Sequence, residues 1–129
     1  MGDLYDTCVF IDYWRGDAAA VALIAAIRGQ PKTASYSTLS ATELWQYTKL
    51  GRQEEIEYVA LIRFFLKEAP LTIGAAMKAG QWLRSYSRSA RMRLAADALI
   101  AATAEERGEQ VRTRNCSDFK KFYGNVQAY

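Results

Sequence analysis

The stretch Arg93-Leu-Ala-Ala-Asp-Ala-Leu-Ile-Ala-Ala-Thr-Ala-Glu-Glu-Arg-Gly108 organises the rest of the chain. Its alanine and leucine content predicts a helix over residues 95–107, which Gly108 can end in the left-handed conformation. Because apolar residues occupy most of the circumference, this helix is expected to be largely buried. One carboxylate, Asp97, lies in the predicted first turn, and its simplest interpretation is support of a helix N-terminus. Acids elsewhere in the chain favour a functional interpretation instead.

Composition sets the first limits on function. With 129 residues, the chain is predicted to form a single domain, residues 1–129, with a sizeable core. A hydrophobic fraction of 50% argues against disorder, and a formal charge of +3 is compatible with nucleic-acid binding without being diagnostic of it. The chain contains no histidine, which excludes Ser-His-Asp and Cys-His catalysis and histidine-ligated zinc.

The cysteines and the apolar runs indicate where the protein resides. Cys8 and Cys116 form neither a disulfide scaffold nor a Cys-x-x-Cys pair, and free thiols suit a reducing cytoplasm. The N-terminal region is acidic, and the longest apolar run, residues 18–27, is too short to span a bilayer. We therefore expect a cytoplasmic protein that has no membrane segment.

Short strands alternate with helices along the chain. Strands are predicted at residues 4–6, 32–36 and 110–114 and near Val126, with an extended segment at 70–73. Helices are predicted at residues 7–15, 18–28, 54–67, 75–86, 95–107 and 117–122, and another follows residues 37–43 and ends at Leu50. This alternation predicts a parallel sheet wrapped by helices.

Four acids occupy special places in this pattern. Asp6, Glu43 and Asp118 lie where a predicted strand gives way to a helix, whereas no clear strand precedes Asp97. Ligands of open parallel sheets gather at the carboxyl ends of the strands. Four converging carboxylates repel one another unless a cation is present, and Mg²⁺ and Mn²⁺ favour oxygen ligands. The pattern therefore suggests metal-assisted phosphodiester hydrolysis.

Each of these acids also has a structural explanation. Ser40-Ala-Thr-Glu43 fits a capping box, in which Glu43 would reach back to the backbone amide of Ser40. Asp6 and Asp118 can equally be helix caps.

Four segments carry a resemblance to a known family, and together they cover essentially the whole chain. They are Leu4-Tyr-Asp-Thr-Cys-Val-Phe-Ile-Asp12, Thr42-Glu-Leu44, Asp97-Ala-Leu-Ile-Ala-Ala-Thr-Ala104 and Thr113-Arg-Asn-Cys-Ser-Asp-Phe119. In order and spacing the chain resembles PIN-domain ribonucleases, in particular the toxin subunits of VapBC toxin–antitoxin modules. The resemblance implies a three-layer α/β/α sandwich with a short-stranded parallel sheet. It also implies that an acidic quartet is catalytic and holds Mg²⁺ or Mn²⁺; its members are Asp6, Glu43, Asp97 and Asp118.

The implied activity is that of a metal-dependent endoribonuclease that cuts tRNA or rRNA, is neutralised by a small antitoxin protein and forms a homodimer. One alternative is a catalytically silent PIN-fold protein that binds RNA or acts as a scaffold. Another is a phosphatase-like enzyme or a DNA-specific nuclease, because oxygen-ligated metals cleave any phosphodiester. The presence of all four acids favours an enzyme.

Cys8 departs from the family pattern, which usually has Asn at this position. A thiol donates and accepts hydrogen bonds only weakly, so the bracing of the first acidic loop is expected to be weaker here. Cys8 and Cys116 each lie two residues from an acid of the quartet. One interpretation of these cysteines is a redox-sensitive site, and the simpler one is that they are buried small hydrophobic residues.

Further residues are predicted near the site. Thr7 and Thr113 can place hydroxyls beside the metal or serve only as β-branched strand residues, and Asn115 can orient a carboxylate or cap a helix. Asp12 is expected near the acids rather than among them. The predicted RNA-binding residues are Arg15, Arg84, Arg88, Arg91 and Arg93, with Tyr86 available for stacking and Lys120 and Lys121 adding charge. A solvated helix end is the alternative explanation for the arginines at 84–93.

Two segments suggest a protein partner. The helix at residues 54–67 and the group of Trp82, Leu83 and Tyr86 offer more large apolar side chains than a small domain must bury. We expect a groove on this side to receive an antitoxin helix, with packing inside the fold as the default alternative.

Overall fold

The structure, a computed structural model, describes residues 2–129. Its strands are β1 (Asp3–Tyr5), β2 (Ala34–Ser37), β3 (Lys67–Ala69), β4 (Gln110–Arg112) and β5 (Val126–Gln127). Its α-helices are α1 (Thr7–Trp14), α2 (Ala18–Gly29), α3 (Thr38–Trp45), α4 (Arg52–Ala60), α5 (Ile73–Leu83), α6 (Arg88–Arg107) and α7 (Cys116–Phe119). A π-helical segment, Leu61–Phe65, continues α4.

The five strands form one parallel sheet in the order β3-β2-β1-β4-β5. β1 lies at its centre, where Asp3 is in register with Ala34 of β2 on one side and Gln110 of β4 on the other. Parallel neighbours need crossover connections, and the helices supply them. The predicted parallel sheet is confirmed, and every carboxyl end lies along the same edge.

Helices cover both faces of the sheet. Tyr5 of β1 faces a core built with Phe10, Ile24 and Leu61 from α1, α2 and the π-helical segment. Its neighbour Leu4 faces the opposite core, which contains Ile100 of α6, because successive strand side chains point to opposite faces. The predicted three-layer α/β/α sandwich is thus confirmed. None of the helices within residues 2–129 has the length and apolar character needed to cross a membrane.

The third helix differs from its prediction at both ends. Ser37 caps α3, with its hydroxyl accepting from the amide of Leu39 at 3.1 Å, so the proposed capping box at Ser40 is wrong. Glu43 therefore lies in the second turn rather than the first. The helix ends at Trp45 instead of Leu50, because Tyr47 and Leu50 turn back on the preceding carbonyls.

The predicted helix at residues 54–67 and the extended segment after it are also shifted. The helix begins at Arg52, its last turn widens into the π-helical segment, and Lys67 already belongs to β3, which replaces the extended segment at 70–73. Lys32 adopts a positive φ of 66° and donates from Nζ to the carbonyls of Arg63 and Leu66. This remote cap satisfies carbonyls that a helix end leaves without partners.

The central helix α6 begins at Arg88 rather than at residue 95. The Ser87 hydroxyl caps it by accepting from the amide of Ala90 at 3.3 Å, and Gly108 ends it in the predicted left-handed conformation with φ 66°. Asp97 consequently lies in the middle of a long helix. Its interpretation as support for a helix N-terminus is wrong, because the free amides of α6 are far from it.

Candidate acidic site

Asp6 forms the centre of the site, at the carboxyl end of β1. It is 7% exposed and precedes α1, whose Thr7 amide donates to its Oδ1 at 2.8 Å. Its own backbone amide donates to the carbonyl of Arg112, which ties the end of β1 to β4. Asp6 is therefore a helix cap, as the structural explanation held, but its second carboxylate oxygen, Oδ2, is left for other partners.

Thr113 and Cys8 occupy that second oxygen. The Thr113 hydroxyl donates to Asp6 Oδ2 at 2.7 Å and the Cys8 thiol at 3.3 Å, while the Arg114 amide donates to Cys8 Sγ at 3.5 Å. Burial raises the pKa of Asp6, and the bonds from Thr113, Cys8 and Thr7 oppose that rise. The Cys8 thiol therefore does brace the first acidic segment, because it links Asp6 at the start of α1 to Arg114 in the segment between β4 and α7.

Cys8 remains protonated in this position. Burial, together with the charge of Asp6, raises the pKa of its thiol to about 11. A protonated thiol can donate to the carboxylate but is a poor nucleophile, because the thiolate is the reactive form. Cys8 and Cys116 are both free thiols, and this environment favours the structural interpretation of Cys8 over a redox-sensitive one.

Glu43, in α3, is bonded by Thr7, which belongs to α1. Thr7 Oγ1 lies 2.7 Å from Glu43 Oε1 and 2.8 Å from Ser40 Oγ. The Thr7 hydroxyl is the donor in both contacts, so its single hydrogen lies between the Glu43 carboxylate and the Ser40 hydroxyl, which both accept. Ser40 is 1% exposed and was not predicted as a site residue. The only sequence signal for it is its position one helical turn before Glu43.

Asn115 bridges the remaining two acids. Its side-chain amide donates to Asp97 Oδ2 and to Asp118 Oδ2, both at 3.0 Å. The residue stands at the N-cap position of α7 but its side chain makes no capping bond there. Of the two predictions for Asn115, orientation of a carboxylate is the one that the contacts favour.

The four predicted acids interact electrostatically. Burial, followed by the charges of three acids, raises the pKa of Asp97 to about 7, although the bond from Asn115 opposes this; the three acids are Asp6, Asp118 and Glu43. Asp118 behaves in the opposite way, because a bond from Lys121 and one from Asn115 lower its pKa. The carboxyl edge thus combines an acid that resists ionisation with one that is readily ionised.

The four acids supply oxygen donors, which Mg²⁺ and Mn²⁺ prefer, but their side chains are widely spaced. Within residues 2–129, no three acidic or cysteine side chains lie close enough together to hold one ion. Asp118 is partly engaged by cations of the chain, with Lys121 Nζ at 2.5 Å from Oδ1 and Arg93 at 3.3 Å from Oδ2. A metal at this edge therefore remains a prediction, and the donor types alone fit it.

The other predicted residues are distributed around this centre. Asp12 contacts Arg114 Nε at 2.7 Å and the Tyr129 hydroxyl at 2.6 Å, so it borders the segment that carries Thr113 and Asn115. Of the five candidate RNA-binding arginines, Arg93 contacts the quartet, through Asp118. Arg91 donates to the carbonyl of Tyr86. Arg84 is exposed before α6, and Arg88 is exposed in its first turn. Arg15 borders an apolar pocket.

The two segments predicted to line one antitoxin groove lie in different layers. Trp82 stacks on Phe122 with ring centroids 5.7 Å apart, in the layer of α5 and α6. Tyr58 and Leu61 belong to the core on the other face of the sheet. The prediction that the two segments share one groove is therefore wrong. An apolar pocket does lie between α1, α3 and α4. Its lining includes Ile11, Trp14, Leu44, Tyr47, Leu50 and Tyr58.

Comparison with known proteins places this geometry in a family. The model of the PIN domain family matches residues 4–125. A toxin–antitoxin complex from Klebsiella pneumoniae contains a similar chain, with a TM-score of 0.70, 23% identity and coverage of 98% of this chain and 96% of that one. DNA-bound VapBC from Salmonella typhimurium gives a TM-score of 0.70 at 19% identity, with coverage of 99% and 98%.

VapBC2 from Rickettsia felis, bound to a DNA fragment from its promoter, gives a TM-score of 0.67 at 13% identity and covers 100% of this chain and 99% of that one. No curated protein sequence matches the chain. At these identities the solved structures support the fold alone, whereas the family model spans nearly all of the sequence. PIN domains are generally nucleases. The chain belongs to the PIN domain family.

Proposed function

We propose that this protein is a metal-dependent endoribonuclease, the toxin of a VapBC-type toxin–antitoxin pair. The observation that carries the proposal lies at the carboxyl edge of the sheet, where Asn115 bonds Asp97 and Asp118 at 3.0 Å each and Thr113 bonds Asp6 at 2.7 Å. Burial, together with the charges of the other three acids, raises the pKa of Asp97 to about 7. Clustered carboxylates that disfavour their own ionisation are costly for a fold and are characteristic of functional sites. A bound cation would offset that cost.

Each residue of the site has a distinct part in the proposal. The ligands of Mg²⁺ or Mn²⁺ would be Asp6, Glu43, Asp97 and Asp118. When bound, such an ion activates a water molecule and offsets the charge that develops on the phosphate. Thr113 fixes the orientation of Asp6, and Asn115 keeps the carboxylates of Asp97 and Asp118 at a set separation.

Cations at the rim would receive the RNA backbone. Arg93 and Lys121 already hold Asp118, and Lys120 is exposed beside them. Phosphate attraction by such side chains supplies affinity without sequence specificity, so it does not by itself separate tRNA from rRNA or RNA from DNA. Arg84, at the end of α5, and Arg88 and Arg91, in the first turn of α6, are exposed as well and would add positive charge.

We further propose that the protein binds an antitoxin, forms a homodimer and is located in the cytoplasm. Structural similarity to proteins described as toxin–antitoxin complexes supports the antitoxin. Its helix would enter the apolar pocket between α1, α3 and α4, since apolar grooves are a common site of helix capture. Exposed Ile56 and Phe64, on α4 and the π-helical segment, leave apolar area for a second copy. Free thiols agree with a reducing compartment.

Asp97→Asn tests the catalytic proposal. Cleavage of purified tRNA and rRNA in Mn²⁺ should be lost, because the substitution keeps the shape and the Asn115 contact but removes a ligand charge. Glu55→Gln, an exposed acid on α4, is the matched control and should cleave normally. Wild-type cleavage by Asp97→Asn would remove Asp97 from the site, and wild-type activity in excess chelator would refute the metal requirement.

A catalytically silent RNA-binding protein is the second candidate. The open spacing of the acids, with no three close enough for one ion within the described residues, is the observation that favours it. In that case, RNA would bind with the affinity of the wild type to Asp97→Asn, and neither protein would cut RNA or DNA in either metal.

A further inference from the structure

Arg114 stands between two residues of the candidate site but extends away from it. Its neighbours Thr113 and Asn115 bond to Asp6 and to the pair Asp97–Asp118 respectively. The Arg114 guanidinium instead reaches the start of the chain: Nε lies 2.7 Å from Asp12 Oδ2 in α1, and a second nitrogen bonds Asp17 Oδ1. One arginine therefore joins the β4–α7 segment to two helices.

The partners of Arg114 are themselves fixed. Asp17 caps α2, with Oδ2 accepting from the amide of Ala20 at 3.0 Å, which leaves Oδ1 for the arginine. Asp12 also accepts from the Tyr129 hydroxyl at 2.6 Å, and the ring of Tyr129 lies 5.2 Å from the guanidinium carbon. The planar guanidinium suits this arrangement, because it can bond two carboxylates and stack on an aromatic ring at once.

The backbone on either side transmits this anchoring to the acids. The Thr113 hydroxyl accepts from the Asn115 amide at 2.9 Å and donates to Asp6, so the orientations of residues 113 and 115 are linked. The Arg114 amide donates to Cys8 Sγ, which bonds the same oxygen of Asp6. A rotation of the segment at Arg114 would move both the support of Asp6 and the bridge between Asp97 and Asp118.

We propose that Arg114, held by Asp12, Asp17 and Tyr129, is a positioning residue that sets Thr113 and Asn115 against the acidic quartet. The effect on catalysis rests on the nuclease activity proposed above, whereas the effect on Asn115 does not. The Arg114 side chain is 49% exposed, so solvent screens its ion pairs and their contribution to folding is small. The loss of Arg114 should therefore change the site more than it changes stability.

NMR signals of the asparagine side-chain amides measure this positioning directly. The chain has two asparagines, Asn115 at the site and Asn125, whose side-chain oxygen accepts from Gln110. Selective ¹⁵N labelling of asparagine yields two side-chain amide signals in the metal-free protein. In Arg114→Met the Asn115 signal should shift or broaden while the Asn125 signal stays in place. Arg52→Met, an exposed arginine on α4, should leave both signals unchanged.

Kinetics gives the second measurement. Arg114→Met should lower kcat on the order of tenfold to a hundredfold, because small misplacements at a site have effects of this size, with KM for RNA nearly unchanged. Arg114→Lys should recover part of the activity, and Asp12→Asn combined with Arg114→Met should lose little more than Arg114→Met alone.

Unchanged Asn115 signals together with wild-type kcat would overturn the proposal. Movement of both asparagine signals with a matching fall in melting temperature would also overturn it, because that result indicates general loosening. If Arg114→Met fails to fold, Tyr129→Phe removes the hydroxyl that bonds Asp12, keeps the aromatic ring, and should shift the Asn115 signal in the same direction. If the wild type does not cleave RNA, the labelling result still decides whether Arg114 positions Asn115.

Discussion

Asp97→Asn should stabilise the metal-free protein at neutral pH while it removes activity. The pKa of Asp97 rises from its ordinary 3.8 to about 7, first through burial and then through the charges of Asp6, Asp118 and Glu43. That difference corresponds to roughly 4 kcal/mol against the ionised form. Because Asp97 is half-buried and water screens part of the interaction, we expect about 2 kcal/mol.

The dependence on pH has a definite sign. Between pH 4 and pH 7 the folded chain keeps a proton on Asp97 that the unfolded chain has released. The free energy of unfolding of the wild type should therefore fall as pH rises through this window and level off above it. Asp97→Asn lacks this titration, and its side-chain oxygen can still accept from Asn115. The two proteins should differ little near pH 4 and most near pH 8.

Urea denaturation at intervals from pH 4 to pH 8, in chelator, measures the effect. In thermal melts at pH 8, also in chelator, the melting temperature of Asp97→Asn should exceed that of the wild type by roughly 8 °C. Glu55→Gln, the exposed control, should follow the wild-type curve. An Asp97→Asn protein that is less stable than the wild type at pH 8, or parallel curves across the whole range, would refute the clustering of charge at this edge.

Three further results are expected. Mn²⁺ at a hundredfold excess over its dissociation constant should stabilise the wild type by about 2.7 kcal/mol, and Asp6→Asn should gain less in the same thermal melts; an equal gain would remove Asp6 from the ion site. Ser40→Ala removes the hydrogen bond between Thr7 and Ser40, and RNA cleavage should slow roughly fivefold, the equivalent of a hydrogen bond of about 1 kcal/mol. Ser85→Ala should not slow it. Glu109→Gln should lower the free energy of unfolding by about 2 kcal/mol without changing kcat. The reason is that buried Glu109 bonds Ser35 and Arg107 at 2.6 Å each, at the amino end of the sheet and away from the acids. A loss of kcat without a loss of stability would contradict this separation.

Sequence patterns predicted those parts of the fold that depend on residues close together in the chain. Gly108 as a helix end and a strand at residues 4–6 both follow from neighbouring residues; the structure confirms the helix end and places the strand at Asp3–Tyr5. The start of α6 does not follow in this way. Residues 88–94 are rich in arginine and resemble an exposed loop, and only Ser87 as a cap and the packing of α6 against α5 make them helical.

The same distinction holds at the candidate site. The motifs predicted that Asp97 and Asp118 share a neighbourhood with Asn115, since the family pattern carries those residues together. Ser40 and Arg114 escaped prediction because their roles depend on partners far along the chain: Thr7 is 33 residues from Ser40, and Asp17 is 97 residues from Arg114. Spacing alone cannot identify such contacts. Lys121, three residues after Asp118, was predicted only as general positive charge, although a salt bridge at that spacing is a local feature.

The central position of β1 has a consequence for how the protein is made. Asp6 leaves the ribosome early, but the hydroxyl that orients it belongs to Thr113, 107 residues later. At typical elongation rates, roughly 5 to 20 seconds separate the synthesis of these two residues. During that interval the nascent chain has no β4 beside β1 and no Asn115 between Asp97 and Asp118. The acidic edge is assembled only when the last part of the sheet docks, so a growing chain passes through translation without a completed site.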